Sequence, residues 1–207
     1  IKYKSELNEI ILIRHQKTIL NDGSFLGVKR NPKIIKNIKN TDRNIYDIIF
    51  TSELLRTIET SKSFKSKKNI IINKNLNEID YGEFEGQKFD GNNSSHILLF
   101  KKMSKNINER FINGESYLDV ILRIKRFVQN DLIRYEKHKL ILVITHNVFL
   151  RCLIGNYLSL KHNAWHLIYI NHLKKVFLYK KKNKIFLDID RLILKKVFLN
   201  NIKSLSS

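Results

Sequence analysis

The sequence predicts an α/β fold with three layers, α/β/α, around a mostly parallel central sheet, and three observations lead there. The runs 10–13 and Leu140–Thr145 are apolar at nearly every position, as strands covered on both faces are. Segments with helical spacing of apolar residues follow them at 53–67, 117–132 and 148–160. Strand and helix therefore alternate, which favours parallel strands with helices on both sides.

Taken in order, the first strand covers 9–13 and stops at Arg14-His15. Further strands are expected at 45–51, 69–72, Leu140–Thr145, 173–179 and 184–189. Ser52 is placed as the N-cap of the helix 53–67, which carries Leu54, Leu55, Ile58 and Ser61. Ser116 and Asp119 have the spacing of a capping box at the head of a longer helix running to Leu132. The stretch 87–114 has poor periodicity and contains Gly91-Asn92-Asn93-Ser94-Ser95, so it is expected to be a small cap over the strand ends. The basic stretch 191–203 alternates apolar and charged residues and is expected to form a docking helix.

With 207 residues and 43% hydrophobic content, the chain can bury roughly 70% of its unfolded surface in one core, so 1–207 is read as a single domain. No uncharged apolar run approaches the length of a membrane span. Cys152 is the sole cysteine, which excludes an intrachain disulfide and a thiolate metal cluster and fits a reducing compartment, the cytoplasm. The chain opens at Ile1, which suggests a piece of something longer whose upstream targeting signals are not visible. The formal charge of +20 raises nucleic acid as a partner. Lysine alternates with asparagine at 31–40, 65–77 and 180–184, however, which reads as compositional bias, so nucleic acid is disfavoured while anionic substrates are attracted.

Both apolar strands end in a histidine, at Arg14-His15 and Thr145-His146, and open α/β sheets bind ligands at that edge. Arg56 lies one turn into the helix after Ser52, and Glu78 lies in the acidic, glycine-containing stretch 75–86. The remaining histidines, His96, His138, His162, His166 and His172, lack metal-ligand spacing and are expected at surface or satisfied core positions. His96 is the one that the cap could bring to the site. Trp165, Tyr169, Phe177 and Tyr179 are expected to belong to the core.

Four of these segments, in this order, resemble the histidine phosphatase superfamily, also called phosphoglycerate mutase-like. They are Leu12-Ile13-Arg14-His15, Ser52-x-x-x-Arg56-Thr57-x-x-Thr60, Leu76-x-Glu78-x-x-x-Gly82-x-x-Glu85-Gly86, and Thr145-His146, with Gly114-Glu115-Ser116 opening a helix between the last two. The resemblance implies the phosphoglycerate mutase-like fold and phosphoryl transfer through a phosphohistidine on His15. Arg14, Arg56 and a protonated His146 would hold the phosphate oxygens, and Glu78 would protonate the leaving alkoxide, a role that needs a partly desolvated carboxyl. Asn21, Gly27 and Asn147 fall at substrate-binding positions, with Gly27 letting backbone approach the ligand. No metal is implied.

Gln16 and Asn147 stand where the family usually has glycine, and Lys17 where an acid is common. Leu26 replaces the Ser or Thr of the mutases, and 87–114 contains only Arg110 in place of their arginine pair. A phosphatase acting on a phosphorylated small molecule or a phosphoprotein is therefore favoured. The alternatives are a mutase dependent on 2,3-bisphosphoglycerate and a catalytically weak relative that acts as a binding protein. A homo-oligomer is left open.

Overall fold

The computed structural model describes residues 8–35, 42–135, 137–181 and 184–188. Its main sheet contains β1 (Asn8–Arg14), β3 (Ile48–Thr51), β5 (Ile71–Ile72), β6 (Leu140–Thr145), β7 (Lys175–Lys181) and β8 (Lys184–Leu187). Their order is β5-β3-β6-β1-β7-β8, and a separate pair joins β2 (Ile45–Tyr46) to β4 (Lys65–Ser66). The first four strands in that order run parallel, while β7 is antiparallel to both β1 and β8. The expected mostly parallel sheet is present.

The period of two along each strand sorts the core. Ile10, Leu12, Ile48, Phe50, Ile141 and Val143 face one side, where α3 (Tyr117–Arg126) and α4 (Asn147–Tyr157) contribute Val120, Ile121, Val148 and Phe149. Ile11, Ile13, Ile49, Leu142 and Ile144 face the other, with Tyr46 and Phe64. Register does the functional work. Arg14 pairs with Thr145, and the His15 N–H donates to the Thr145 carbonyl at 3.0 Å, so the two strands deliver His15 and His146 to the same edge.

The helices depart from periodicity in instructive ways. The helix expected over 53–67 is only α1, Leu55–Ser61. Thr60, Ser61 and Ser63 turn their hydroxyls back onto the carbonyls of Arg56, Ile58 and Thr60, an alternative to continuing the helix, and the chain then enters β4. Ser52 is not the N-cap; that position is Leu54, and the Ser52 hydroxyl serves the site instead. The Ser116–Asp119 capping box forms as expected, and α3 continues through a π-helical turn at Phe127–Leu132 that keeps Phe127 and Leu132 buried. Within 87–114 lies α2 (Ser94–Lys105), which weak apolar periodicity conceals, since only His96 and Met103 are buried in it. Asn93 starts it by accepting from the Ser95 and His96 amides. The expected docking helix at 191–203 lies outside the described residues. Among those residues, no helix is long and apolar enough to cross a membrane.

Candidate active site

At the end of β1 the backbone brings His15 into a buried position, 2% exposed. Its Nδ1 lies 2.6 Å from the Gln16 carbonyl, which can only accept, so the ring proton sits on Nδ1 and the lone pair on Nε2. Burial first, then the Arg56 and Arg14 charges, holds the His15 pKa well below the usual histidine value. The imidazole is thus neutral and correctly tautomerised for nucleophilic attack.

Arg14 donates from Nη1 to the Ile170 carbonyl at 3.0 Å and lies over the Tyr169 ring. Its Nε is buried without a hydrogen-bond partner, a donor that an anion would satisfy. Arg56 is fully buried. It reaches the Gly27 carbonyl with Nη2 at 2.6 Å, the Arg30 carbonyl with Nη1 at 3.3 Å and His146 Nδ1 with Nε at 3.3 Å. Desolvation lowers its pKa to about 10, which still leaves it charged at neutral pH. The loop supplying those carbonyls is held by Glu85, whose carboxylate accepts from the amides of Val28, Lys29 and Arg30 at 2.7, 2.9 and 3.0 Å.

His146 departs from expectation. Its ring lies 5.1 Å from that of His15, but both of its nitrogens are used within the protein. Nδ1 accepts from Arg56, which places the proton on Nε2, donated to the Ser52 hydroxyl at 2.8 Å. Burial and the neighbouring Arg56 charge hold its pKa well below 6.5, and the ring orients Arg56; the expected protonated form needs an anion beside it to raise that pKa. Glu78 is buried, and its Oε1 accepts from the amides of Ile79 and of Val148, in the first turn of α4, both at 3.1 Å.

Arg14, His15, Asn21, Gly27, Arg56, Glu78 and Asn147 all line one cavity of about 90 Å³, together with Ser24, Phe25, Leu26 and Tyr81. The structure thus brings together every residue expected at the site, with His146 directly behind the wall. Asn21 uses Oδ1 to accept from Thr18, which leaves Nδ2 for a ligand. Asn147 accepts from the Ile170 amide through Oδ1. Gly27 has a different reason from the one expected: at φ +52° its missing Cβ would run into the Glu85 carboxylate, so the close approach is to Glu85.

Gln16 and Asn147 both avoid a left-handed backbone, so neither departure strains the chain. The Gln16 side chain turns away from the cavity to Ser63, while its amide donates to Thr60 Oγ1. His96 is not at the site; it accepts from the Asp90 amide and pairs with Gln87, tying the segment before α2 together. His172, expected at the surface or in the core, packs edge-on against His15 at 5.2 Å and donates from Nδ1 to the His15 carbonyl. Tyr81 was also not foreseen; burial raises its pKa and keeps its phenol protonated. His172 carries no local signal, because backbone pairing beside Arg14 places it, whereas Tyr81 lies three residues after Glu78 in the same stretch. Trp165 is a core residue as expected, and Phe177 and Tyr179 are half-buried, whereas Tyr169 is not in the core: it is 57% exposed, because its ring lies at the surface under the Arg14 guanidinium. Among the described residues, no cluster of three or more His, Cys, Asp or Glu side chains is arranged to hold a metal ion.

A family model described as the histidine phosphatase superfamily (branch 1) matches residues 10–184. The chain belongs to the histidine phosphatase superfamily. It is similar to 6-phosphofructo-2-kinase 1 of Saccharomyces cerevisiae, 35% identical over 131 residues that make up 60% of this chain and 16% of that protein. It is also similar to fructose-2,6-bisphosphatase of the same yeast, 27% identical over 179 residues, 81% of this chain and 38% of that protein. The chain spans well under half the length of these two relatives. Among solved structures it resembles Bacillus stearothermophilus YhfR, with a TM-score of 0.73 and 21% identity over 87% of this chain and 95% of that one. A phosphoserine phosphatase mutant from Entamoeba histolytica, in complex with phosphoserine, gives a TM-score of 0.70 and 20% identity over 90% of this chain and all of that one. These structural likenesses show the histidine phosphatase fold.

Proposed function

We propose that the chain hydrolyses phosphomonoesters through a phosphohistidine on His15. The observation that carries this reading is the His15 ring, neutral through burial, with its Nδ1 proton given to Gln16 and Nε2 left to a cavity walled by two guanidinium groups. Nε2 attacks phosphorus as the ester P–O bond breaks, and Glu78 gives its proton to the leaving oxygen. Water then attacks the phosphohistidine while Glu78 takes a proton back, releasing inorganic phosphate and neutral His15. Arg14, through its unpartnered Nε, and Arg56 stabilise the charge on the transferred oxygens, the larger part of catalysis in this chemistry. Asn21 and Asn147 add neutral contacts.

In this reading 1–207 acts as one catalytic unit and 87–114 borders the substrate's space. The substrate is a phosphorylated small molecule, and the single, buried Cys152 is consistent with work in a reducing cytoplasm. Fructose 2,6-bisphosphate belongs among the esters tested, because a curated relative is named for its hydrolysis. Rapid quenching during turnover should trap an acid-labile, alkali-stable phosphoryl group on the wild-type chain and none on His15→Ala. Undiminished hydrolysis by a folded His15→Ala variant would sink the proposal.

A further inference from the structure

A second cavity, of about 410 Å³, lies beside the phosphate site against α2. Phe89, Phe100, Met103 and Tyr117 form its walls, and Phe25 belongs to both cavities. The Phe25 ring lies 4.9 Å from Tyr81, on the phosphate side, and stacks at 5.6 Å on Phe100, on the other. An unbroken aromatic row thus leads from the anion site into the apolar space. Among the described residues, no lysine, arginine or carboxylate lines that space. Of its two histidines, burial lowers the pKa of His162, which is therefore neutral at pH 7.

A bound ester must place its alcohol in space that adjoins the phosphate, and a second neighbouring cavity competes for it. A polar cleft of about 340 Å³ shares Glu78 with the phosphate site. On the Arg123 side Glu78 offers its backbone carbonyl, which accepts from Arg123 at 3.4 Å, whereas its carboxylate is turned inward to the Val148 amide. Arg123 is in turn occupied by Glu115 at 2.8 Å, and the cleft sets Glu53 and Asp80 against Lys74 and Arg126, a mixed charged lining suited to a hydrated, polar group. The carboxyl that must reach the leaving oxygen is thus anchored at the head of α4 rather than on Arg123.

Resting on the phosphohistidine reading, we infer that the apolar cavity takes the alcohol part of the substrate, so that the chain's substrates are monophosphate esters of apolar, alkyl or ring-bearing alcohols. A second phosphate in that cavity would be desolvated with no cation to meet it. Sugar bisphosphates and phosphoglycerates are correspondingly poor substrates. An apolar alcohol instead exchanges water for Phe100, Met103 and Tyr117.

The test compares phosphate monoesters: 2-phenylethyl phosphate against glycerol 3-phosphate and phosphoserine, also esters of unactivated alcohols, and the anomeric ester fructose 2,6-bisphosphate, each with wild type and His15→Ala. The expected kcat/KM for 2-phenylethyl phosphate is about tenfold or more above the others. Phe89→Arg, at a half-exposed wall position that tolerates the change, should cut that preference about tenfold, and Ser104→Asp serves as a second variant on the same wall. Hydrolysis that needs His15 but favours the charged esters, or a preference that both folded variants leave untouched, overturns the leaving-group assignment and leaves the hydrolase reading standing. Failure of every ester to be hydrolysed in a His15-dependent way overturns both.

Discussion

The carboxyl ends of β1 and β6 look alike in sequence and differ in what their histidines are free to do. Each strand is an apolar run, each ends in an imidazole, and each imidazole is buried and kept neutral by its surroundings. His15 spends one nitrogen on a backbone carbonyl and keeps the other for the cavity. His146 spends both, one on Arg56 and one on Ser52. Identical side chains in neighbouring, register-matched strands thus become a nucleophile and a holder of the adjacent cation.

The sharpest way to break this contrast is to remove the second ring. His146→Ala should lower kcat by about 10² to 10³, the size of losing one charge-placing group, while phosphoenzyme still forms slowly. If that variant lost the phosphoenzyme altogether, as His15→Ala should, the division of labour would be wrong. A smaller effect is expected from Glu85→Gln, whose amide can no longer accept from all three N–H groups of Val28, Lys29 and Arg30. With Gly27 and Arg30 less well placed, Arg56 is less well aimed, and kcat/KM should fall about tenfold together with weaker inhibition by inorganic phosphate. An unchanged phosphate inhibition constant would show that Arg56 is aimed by His146 alone.

The shared neutrality of the two rings makes the smallest prediction, one about stability. Both folded-state pKa values are depressed, so below about pH 6.5 the unfolded chain binds protons that the folded chain refuses. Stability is therefore fully present above about pH 6.5 and is lost as pH falls toward the folded pKa values, by up to about 1.4 kcal/mol per pH unit for each ring. Melting temperatures measured from pH 8 to pH 5 should show a plateau and then a decline, and inorganic phosphate should lessen the decline by favouring charged imidazole. A flat profile down to pH 5 would mean that these rings are not held neutral.

The parts of the molecule that were legible in sequence are those whose signal is local. Strands β1 and β6 announce themselves by four or more apolar residues in a row, and the ordered motifs carry Arg14, His15, Arg56, Glu78 and His146 to one edge. The capping box at Ser116 was equally plain. Helix α2 was hidden because it leans on the rest of the protein through few side chains, although Asn93 before Ser94-Ser95 offered a capping signal. The protonation of His146 could not be read, because it depends on an arginine 90 residues away. His172 is placed by backbone pairing beside Arg14 across 158 positions of chain, which no window of sequence contains.

The bracing of Arg56 uses main-chain atoms alone on the loop side: amides of residues 28–30 toward Glu85, and carbonyls of Gly27 and Arg30 toward the guanidinium. The side chains of Val28 and Lys29 are therefore spectators to charge placement: Val28 lines the polar cleft, and Lys29 reaches toward Asp80. Evolution can therefore rewrite both side chains without disturbing the grip on the phosphoryl group.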